Sequence, residues 1–313
     1  MSKAFVFPGQ GSQAVGMGKD LAAEFVAARA VFAEVDEALG QNLSAIMFDG
    51  PNETLTLTAN AQPALMAVSI AVLRVLEAEA GFDLARDAKF VAGHSLGEYA
   101  ALAAAGTFSL ADTARLLRIR GEAMQAAVPV GQGAMAALLG MELEAAQQVA
   151  QEAAQGEVCQ VANDNGGGQV VLSGAKAAVE RAAEIAKAKG ARRAVMLPVS
   201  APFHCALMEP AARAMAEALG NVAIGAPKVP LVANVTARPE TDPQKIRDNL
   251  VNQVTGAVRW RESIAFMAGE GVESFYELGS GKVLSGLVKR IASQASGQAV
   301  GTPADIAAFK GGA

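Results

Sequence analysis

The chain has 313 residues, 52% of them hydrophobic and 18% charged, with a formal net charge of −5. That composition excludes wholesale disorder, which needs low hydrophobicity and high net charge. The mild acidity argues against general nucleic-acid binding, which rests on dense positive charge.

Ala4–Phe7 reads as a short buried strand, stopped at once by Pro8 and Gly9. So brief an apolar run is no signal peptide, and a cytoplasmic protein is expected. Leu21–Leu39 reads as one helix with Gly40 as its stop. Asn60 is a candidate cap for the next helix, with Pro63 in its first turn and Gly81 past its end. This is the longest apolar stretch, but Arg74 interrupts it, so no membrane span is expected. Phe90–Ala92 is a second buried strand that runs straight into Gly93-His94-Ser95-Leu96-Gly97. A short helix follows to Ala105, then one from Ser109, with Asp112 as capping partner, to about Ala127.

From about 133 to 198 the rhythm changes. Strands at Ala134–Leu139, Val158–Ala162, Gln169–Leu172 and Ala194–Leu197 alternate with helices at Leu143–Ala154 and Ala177–Lys189. The order β-α-β-β-α-β is that of a ferredoxin-like unit. The expected fold is therefore α/β, with residues 131–198 inserted as a small domain between the two parts of a larger one, 1–130 and 199–313. The second part reads as a helix near Leu207–Leu219, strands near Val229–Ala233 and Ser274–Glu277, and a helix at Val283–Ile291. A loosely held tail is expected from Ser293.

Gly93–Gly97 fits G-x-S-x-G between a strand and a helix, the setting a nucleophile elbow requires. Ser95 would then sit near free N–H groups that favour an oxyanion. A serine nucleophile needs a base, and the chain has two histidines, His94 and His204. His94 would have to fold back over the turn, whereas His204 lies in a loop before a helix and is the better candidate. Asp242 and Asp248 are downstream but carry no motif, so a dyad held by a backbone or amide carbonyl is expected. Arg120 has Leu116, Leu117, Ala123 and Met124 as helical neighbours and no local acid. A buried arginine must be paired, either with a distant Asp or Glu or with the carboxylate of a substrate. Arg115 and Arg118 have nearby partners in Asp112 and Glu122. Cys159 and Cys205 lack the spacing of a disulfide framework or a zinc site and read as buried thiols.

These residues stand in stretches that resemble the malonyl-CoA:acyl carrier protein transacylases of type II fatty acid synthesis. The stretches are Phe5–Gln13, Gln62–Leu65, Gly93–Tyr99, Arg120-Gly121, Gly133–Ala137, Pro202–Met208, Asn252-Gln253 and Gly281–Leu284. They occur in family order from about residue 4 to 291. The resemblance implies an α/β-hydrolase-like core with a ferredoxin-like insert. It implies Ser95 as the acylated nucleophile and His204 as its base. It further implies the N–H groups of Gln10 and Leu96 as the oxyanion hole, Arg120 as the malonyl clamp and the Gln253 carbonyl as the support of His204. Asn163 and His94 match positions near the site. Phe203 resembles the malonyl type, its ring crowding an α-methyl group. No metal or prosthetic group is implied, since the coenzyme A thioester is a substrate. The implied partners are malonyl-CoA and acyl carrier protein. Basic residues cluster at Lys187, Lys189, Arg192 and Arg193 and at Lys282, Lys289 and Arg290, and one of these clusters is expected to receive the carrier. A monomer is expected. A serine hydrolase with the same dyad and a non-catalytic carrier-binding scaffold are the alternatives.

Overall fold

Strands without charge and apolar on both faces belong at the centre of an α/β molecule. Ala4–Phe7 and Phe90–Ala92 meet that description and are buried side by side. The computed structural model describes residues 2–311. Its strands are β1 (Ser2–Phe7), β2 (Phe90–Gly93), β3 (Gly133–Leu139), β4 (Cys159–Asp164), β5 (Gln169–Ala175), β6 (Arg193–Met196), β7 (Leu231–Val232), β8 (Pro239–Glu240), β9 (Val272–Leu278) and β10 (Ser296–Val300). They form two sheets within an α/β fold. The larger runs β10-β9-β1-β2-β7-β8 and is parallel except for β8. The smaller runs β4-β5-β3-β6 with every neighbour antiparallel, and helices Leu143–Ala154 and Lys176–Ala188 connect its strands.

The helix Thr58–Ala80 fills the middle of the main core. Length and composition would let it cross a membrane, but 89% of its apolar window is buried within the protein. Its start differs from expectation. Leu57 precedes the first turn, and Asn60 lies inside it, donating to the Thr54 carbonyl at 2.8 Å. Gly81 closes the helix at φ 62°. The stretch from Leu21 to Leu39 is two helices, Lys19–Glu24 and Val26–Leu39, because Phe25 is extended and turns the chain. Ser109 caps Leu110–Ala126 as expected, accepting from the Asp112 N–H at 3.0 Å.

The tail is ordered, contrary to expectation. Ser296–Val300 adds a parallel edge strand beside β9, and Pro303–Gly311 is a helix with Ile306 buried. Gly297 lets this strand lie against the helix Val283–Ile291: a Cβ there would lie 2.3 Å from the Ser285 carbonyl oxygen. Phe309 then packs edge-on against Tyr276 and Phe82. Two helices between β8 and β9 were unassigned from sequence: Pro243–Thr255 packs on the helix Glu209–Gly220, and Trp260–Gly269 covers one face of the larger sheet.

Candidate active site

In parallel α/β sheets, ligands bind beyond the carboxyl ends of the strands. Here β1 ends in the loop bearing Gln10, β2 ends at Gly93 before Ser95, and β7 leads to Asn234. Ser95 sits between β2 and the helix Leu96–Ala104 with φ 55° and ψ −112°, a strained conformation for a serine. The flanking glycines serve close packing. A Cβ on Gly93 would lie 1.9 Å from Gly97, and one on Gly97 would lie 2.2 Å from the Phe7 carbonyl oxygen. The main chain of Ser95 is fixed at both ends. Its N–H donates to Asn234 Oδ1 at 2.8 Å, and its carbonyl accepts from Gln253 Nε2 at 2.9 Å.

His204 reaches this turn from the loop before the helix Glu209–Gly220, also at positive φ. Its Nε2 lies 2.7 Å from Ser95 Oγ. Its Nδ1 lies 2.8 Å from the Gln253 carbonyl oxygen and 3.2 Å from that of Gly256. Two carbonyl acceptors require a proton on Nδ1, which leaves Nε2 to accept the Ser95 hydroxyl proton. Burial, reinforced by the Arg120 charge, pushes His204 down to about 3, so the imidazole is neutral. Asp242 is elsewhere, capping the helix Pro243–Thr255, and Asp248 accepts from Gln244. No carboxylate touches His204 among the described residues.

Arg120 comes from the helix Leu110–Ala126 and is 1% exposed. Gly121 permits that helix to lie against the start of Thr58–Ala80, where a Cβ would be 2.7 Å from Ala59. The guanidinium donates to Gln62 Oε1 at 2.8 Å, to Gln253 Oε1 at 2.8 Å and to Ser95 Oγ at 3.0 Å. It makes no ion pair among the described residues, and its Nε–H has no partner. A cation held only by neutral groups beside a nucleophile is built to receive an anion. Arg118 departs from expectation: it donates to Asn60 Oδ1 at 2.9 Å and to Gln41, because its side chain reaches across to the helix Thr58–Ala80 and to the bend after Val26–Leu39.

Other residues named from the sequence fall around this centre. Leu96 opens its helix, so its N–H is a first-turn donor without an intrahelical acceptor. Gln10 lies in the loop after β1, its side chain 3.5 Å from Thr58 Oγ1. His94 points away from Ser95 Oγ. Its Nε2 lies 2.9 Å from Asn165 Oδ1, its ring sits 5.6 Å from that of Trp260, and burial pushes its pKa down. Asn163 lies on β4 with a buried Oδ1 that meets no partner, and it makes no hydrogen bond to Ser95 or His204. Asn234, Asn165 and Gln62 were not singled out from sequence as site residues. Gln62 stood in a quoted stretch, while Asn234 carried no signal.

Comparison with known proteins places the whole chain in one family. Residues 4–302 match the acyl transferase domain family. The malonyl CoA-acyl carrier protein transacylase of Escherichia coli K12 is 48% identical over 97% of each chain. The Bacillus subtilis 168 protein of that name is 49% identical over 98% of this chain and 96% of its own. An acyl-carrier-protein-S-malonyltransferase from Bartonella henselae has a TM-score of 0.97 at 60% identity, covering 99% of this chain and 98% of its own. A malonyl-transacylase solved in complex with its type II polyketide synthase acyl-carrier protein has a TM-score of 0.96 at 43% identity over 100% of both chains. With that identity and coverage, the chain belongs to the acyl transferase domain family, among the malonyl CoA-acyl carrier protein transacylases.

Proposed function

We propose that this chain moves a malonyl group from malonyl-CoA to the phosphopantetheine thiol of an acyl carrier protein in fatty acid synthesis, through a malonyl ester on Ser95. One observation carries the reading: Arg120, buried and free of any acidic partner among the described residues, lies 3.0 Å from a serine that is 2.7 Å from a neutral histidine. A hydrolase needs the dyad but not the guanidinium.

In the first half-reaction His204 Nε2 takes the Oγ proton as Ser95 attacks the thioester carbon. The N–H groups of Gln10 and Leu96 receive the oxyanion, each donor contributing about 3–4 kcal/mol. Collapse expels the coenzyme A sulfur, which takes the proton from His204. In the second half the carrier thiol gives its proton to His204 and attacks the ester, and Ser95 regains a proton. The substrate carboxylate takes over the Arg120 donor that faces Oγ. Gln253 holds the base through its main-chain oxygen, His94 and Asn163 support the wall, and Phe203 narrows the pocket against an α-methyl group. No metal or resident cofactor enters the scheme.

The finer architecture follows the same reading: an α/β-hydrolase-like core of residues 1–130 and 199–313 with a ferredoxin-like unit at 131–198. The antiparallel order β4-β5-β3-β6 supports it. A cytoplasmic monomer is proposed, receiving its carrier on the basic face at Lys282, Lys289 and Arg290. Intact-protein mass tests the reaction. Malonyl-CoA alone is expected to leave one malonyl adduct on Ser95, which holo-carrier protein then removes. Rapid loss of the adduct to water without carrier product would make the protein a hydrolase, and absence of any adduct would leave a scaffold.

A further inference from the structure

We propose that Glu98 balances the charge of the acyl pocket: partly ionised in the free enzyme, it takes up a proton from solvent when a substrate carboxylate docks on Arg120. The inference rests on the malonyl-transfer reading and goes beyond it. Glu98 lies in the first turn after Ser95 and is 0% exposed. Its Oε2 accepts from Gln253 Nε2 at 2.8 Å and from the Asn234 N–H at 3.1 Å, while Oε1 has no partner. The same Gln253 amide offers its Oε1 to Arg120 at 2.8 Å. A neutral amide therefore stands between a buried carboxyl group and a buried guanidinium. The spacer lets Glu98 offset the Arg120 charge without occupying the N–H groups that a substrate needs.

Arrival of a second carboxylate changes the balance. It neutralises Arg120 and faces Glu98 with a like charge, and both effects favour the protonated acid. Burial already raises Glu98 to about 7, so modest repulsion moves it across neutrality. Protonation at Oε1 leaves both bonds to Oε2 intact. The other titratable groups of the pocket hold their charge near neutrality. Arg120 remains a cation, burial pushes Tyr99 up to about 12, and it pushes His204 and His94 down. The Ser95 proton leaves on the coenzyme A sulfur, so the uptake at Glu98 is additional to the chemistry.

The test measures proton uptake with a pH indicator in weak buffer as enzyme and malonyl-CoA are mixed, with intact mass reporting acylation. The unaltered enzyme should take up as much as about half a proton per malonyl-enzyme at pH 7, since a group with that pKa is half ionised there. Glu98→Gln keeps an acceptor for Gln253 and should take up none. Correspondingly, KM for malonyl-CoA should rise with pH across neutrality in the unaltered enzyme and stay flat in the variant. Equal uptake by both acylated proteins overturns the proposal. Difference infrared spectroscopy of the unaltered enzyme with 13C-malonyl-CoA needs no variant: a new unlabelled carboxylic-acid band supports the proposal, and its absence overturns it. Failure of the unaltered enzyme to form malonyl-serine would instead overturn the underlying reading, and the proposal with it.

Discussion

Arg120 is a charge without a counter-charge in contact, and that makes it the residue whose loss is easiest to read. Gln62, Gln253 and Ser95 satisfy three of its donors with neutral oxygen atoms. A substrate carboxylate adds a charged bond, and such bonds contribute about 1.5–3 kcal/mol. Arg120→Ala should therefore lower malonyl transfer roughly 10- to 150-fold, while acetyl transfer gains relative ground. An unchanged malonyl-to-acetyl ratio would remove the clamp. The base gives a second expectation. An ordinary imidazole near 6.5 loses its function as pH falls, but His204 is held down to about 3 and stays neutral through that range. Formation of the acyl-enzyme should therefore show no acid limb near pH 6.5, which rapid-quench rates from pH 8 to 5 would reveal. Stability carries the same shift. Between about 6.5 and about 3 the unfolded chain binds a proton that folded His204 refuses, so this group weakens the fold progressively as pH drops through that window. Ser95, His204 and Arg120 could be named from sequence because each breaks a pattern: a serine between strand and helix, a scarce imidazole, a cation on an apolar face. Asn234 and Asn165 could not. A neutral amide leaves no charge pattern, and the groups these hold lie 139 and 71 residues away in the chain.

At the scale of elements, the turn after β2 depends on the absence of side chains at two positions. Ser95 alone takes the positive φ, while Gly93 and Gly97 let β1, β2 and the following helix close on one another. Gly97→Ala puts a methyl group 2.2 Å from the Phe7 carbonyl oxygen, and neither backbone can yield cheaply. Overpacking of this kind costs about 1–3 kcal/mol, so Tm should fall by roughly 2–12 °C. Transfer should fall with it, because the displaced helix carries the Leu96 N–H. A variant with unchanged Tm would show that the turn has slack. Elements with explicit punctuation were readable from sequence: Ser109 at a helix start, Gly40 and Gly81 at helix ends. The break at Phe25 was not, since the apolar spacing of Leu21, Ala28, Val31, Phe32 and Val35 continues across it. The edge strand Ser296–Val300 escaped notice for the opposite reason. Its small polar residues resemble a linker, and only the backbone of its neighbour β9 gives them a role.

At the scale of the molecule, the net charge is −5, so a basic docking face for the carrier must be local. The two basic clusters differ in what surrounds them. In the insert, Lys187 pairs with Glu184 and Lys189 with Glu152, which spends much of that charge within the protein. Lys282, Lys289 and Arg290 make no ion pair among the described residues and share the exposed side of the helix Val283–Ile291, with Val283 as an apolar spot. The two ends of that helix each meet a loop that also carries a residue named at the site. Gly281 lies against Ser12 of the loop after β1, and Arg290 lies against Gly167, two residues past the Asn165 that holds His94. A carrier bound there would have the site mouth within reach of its pantetheine arm. Reversing Lys282 and Lys289 to Glu should slow transfer to the carrier roughly tenfold at low salt, with the difference shrinking as salt rises. Acylation by malonyl-CoA and transfer to free pantetheine should keep their rates, because neither step uses that face. The matching reversal of Lys187 and Lys189 serves as the comparison, since it breaks internal pairs and leaves the mouth alone. If the insert variant loses carrier transfer and the helix variant does not, the carrier approaches over the small sheet, and its arm must enter from the opposite wall.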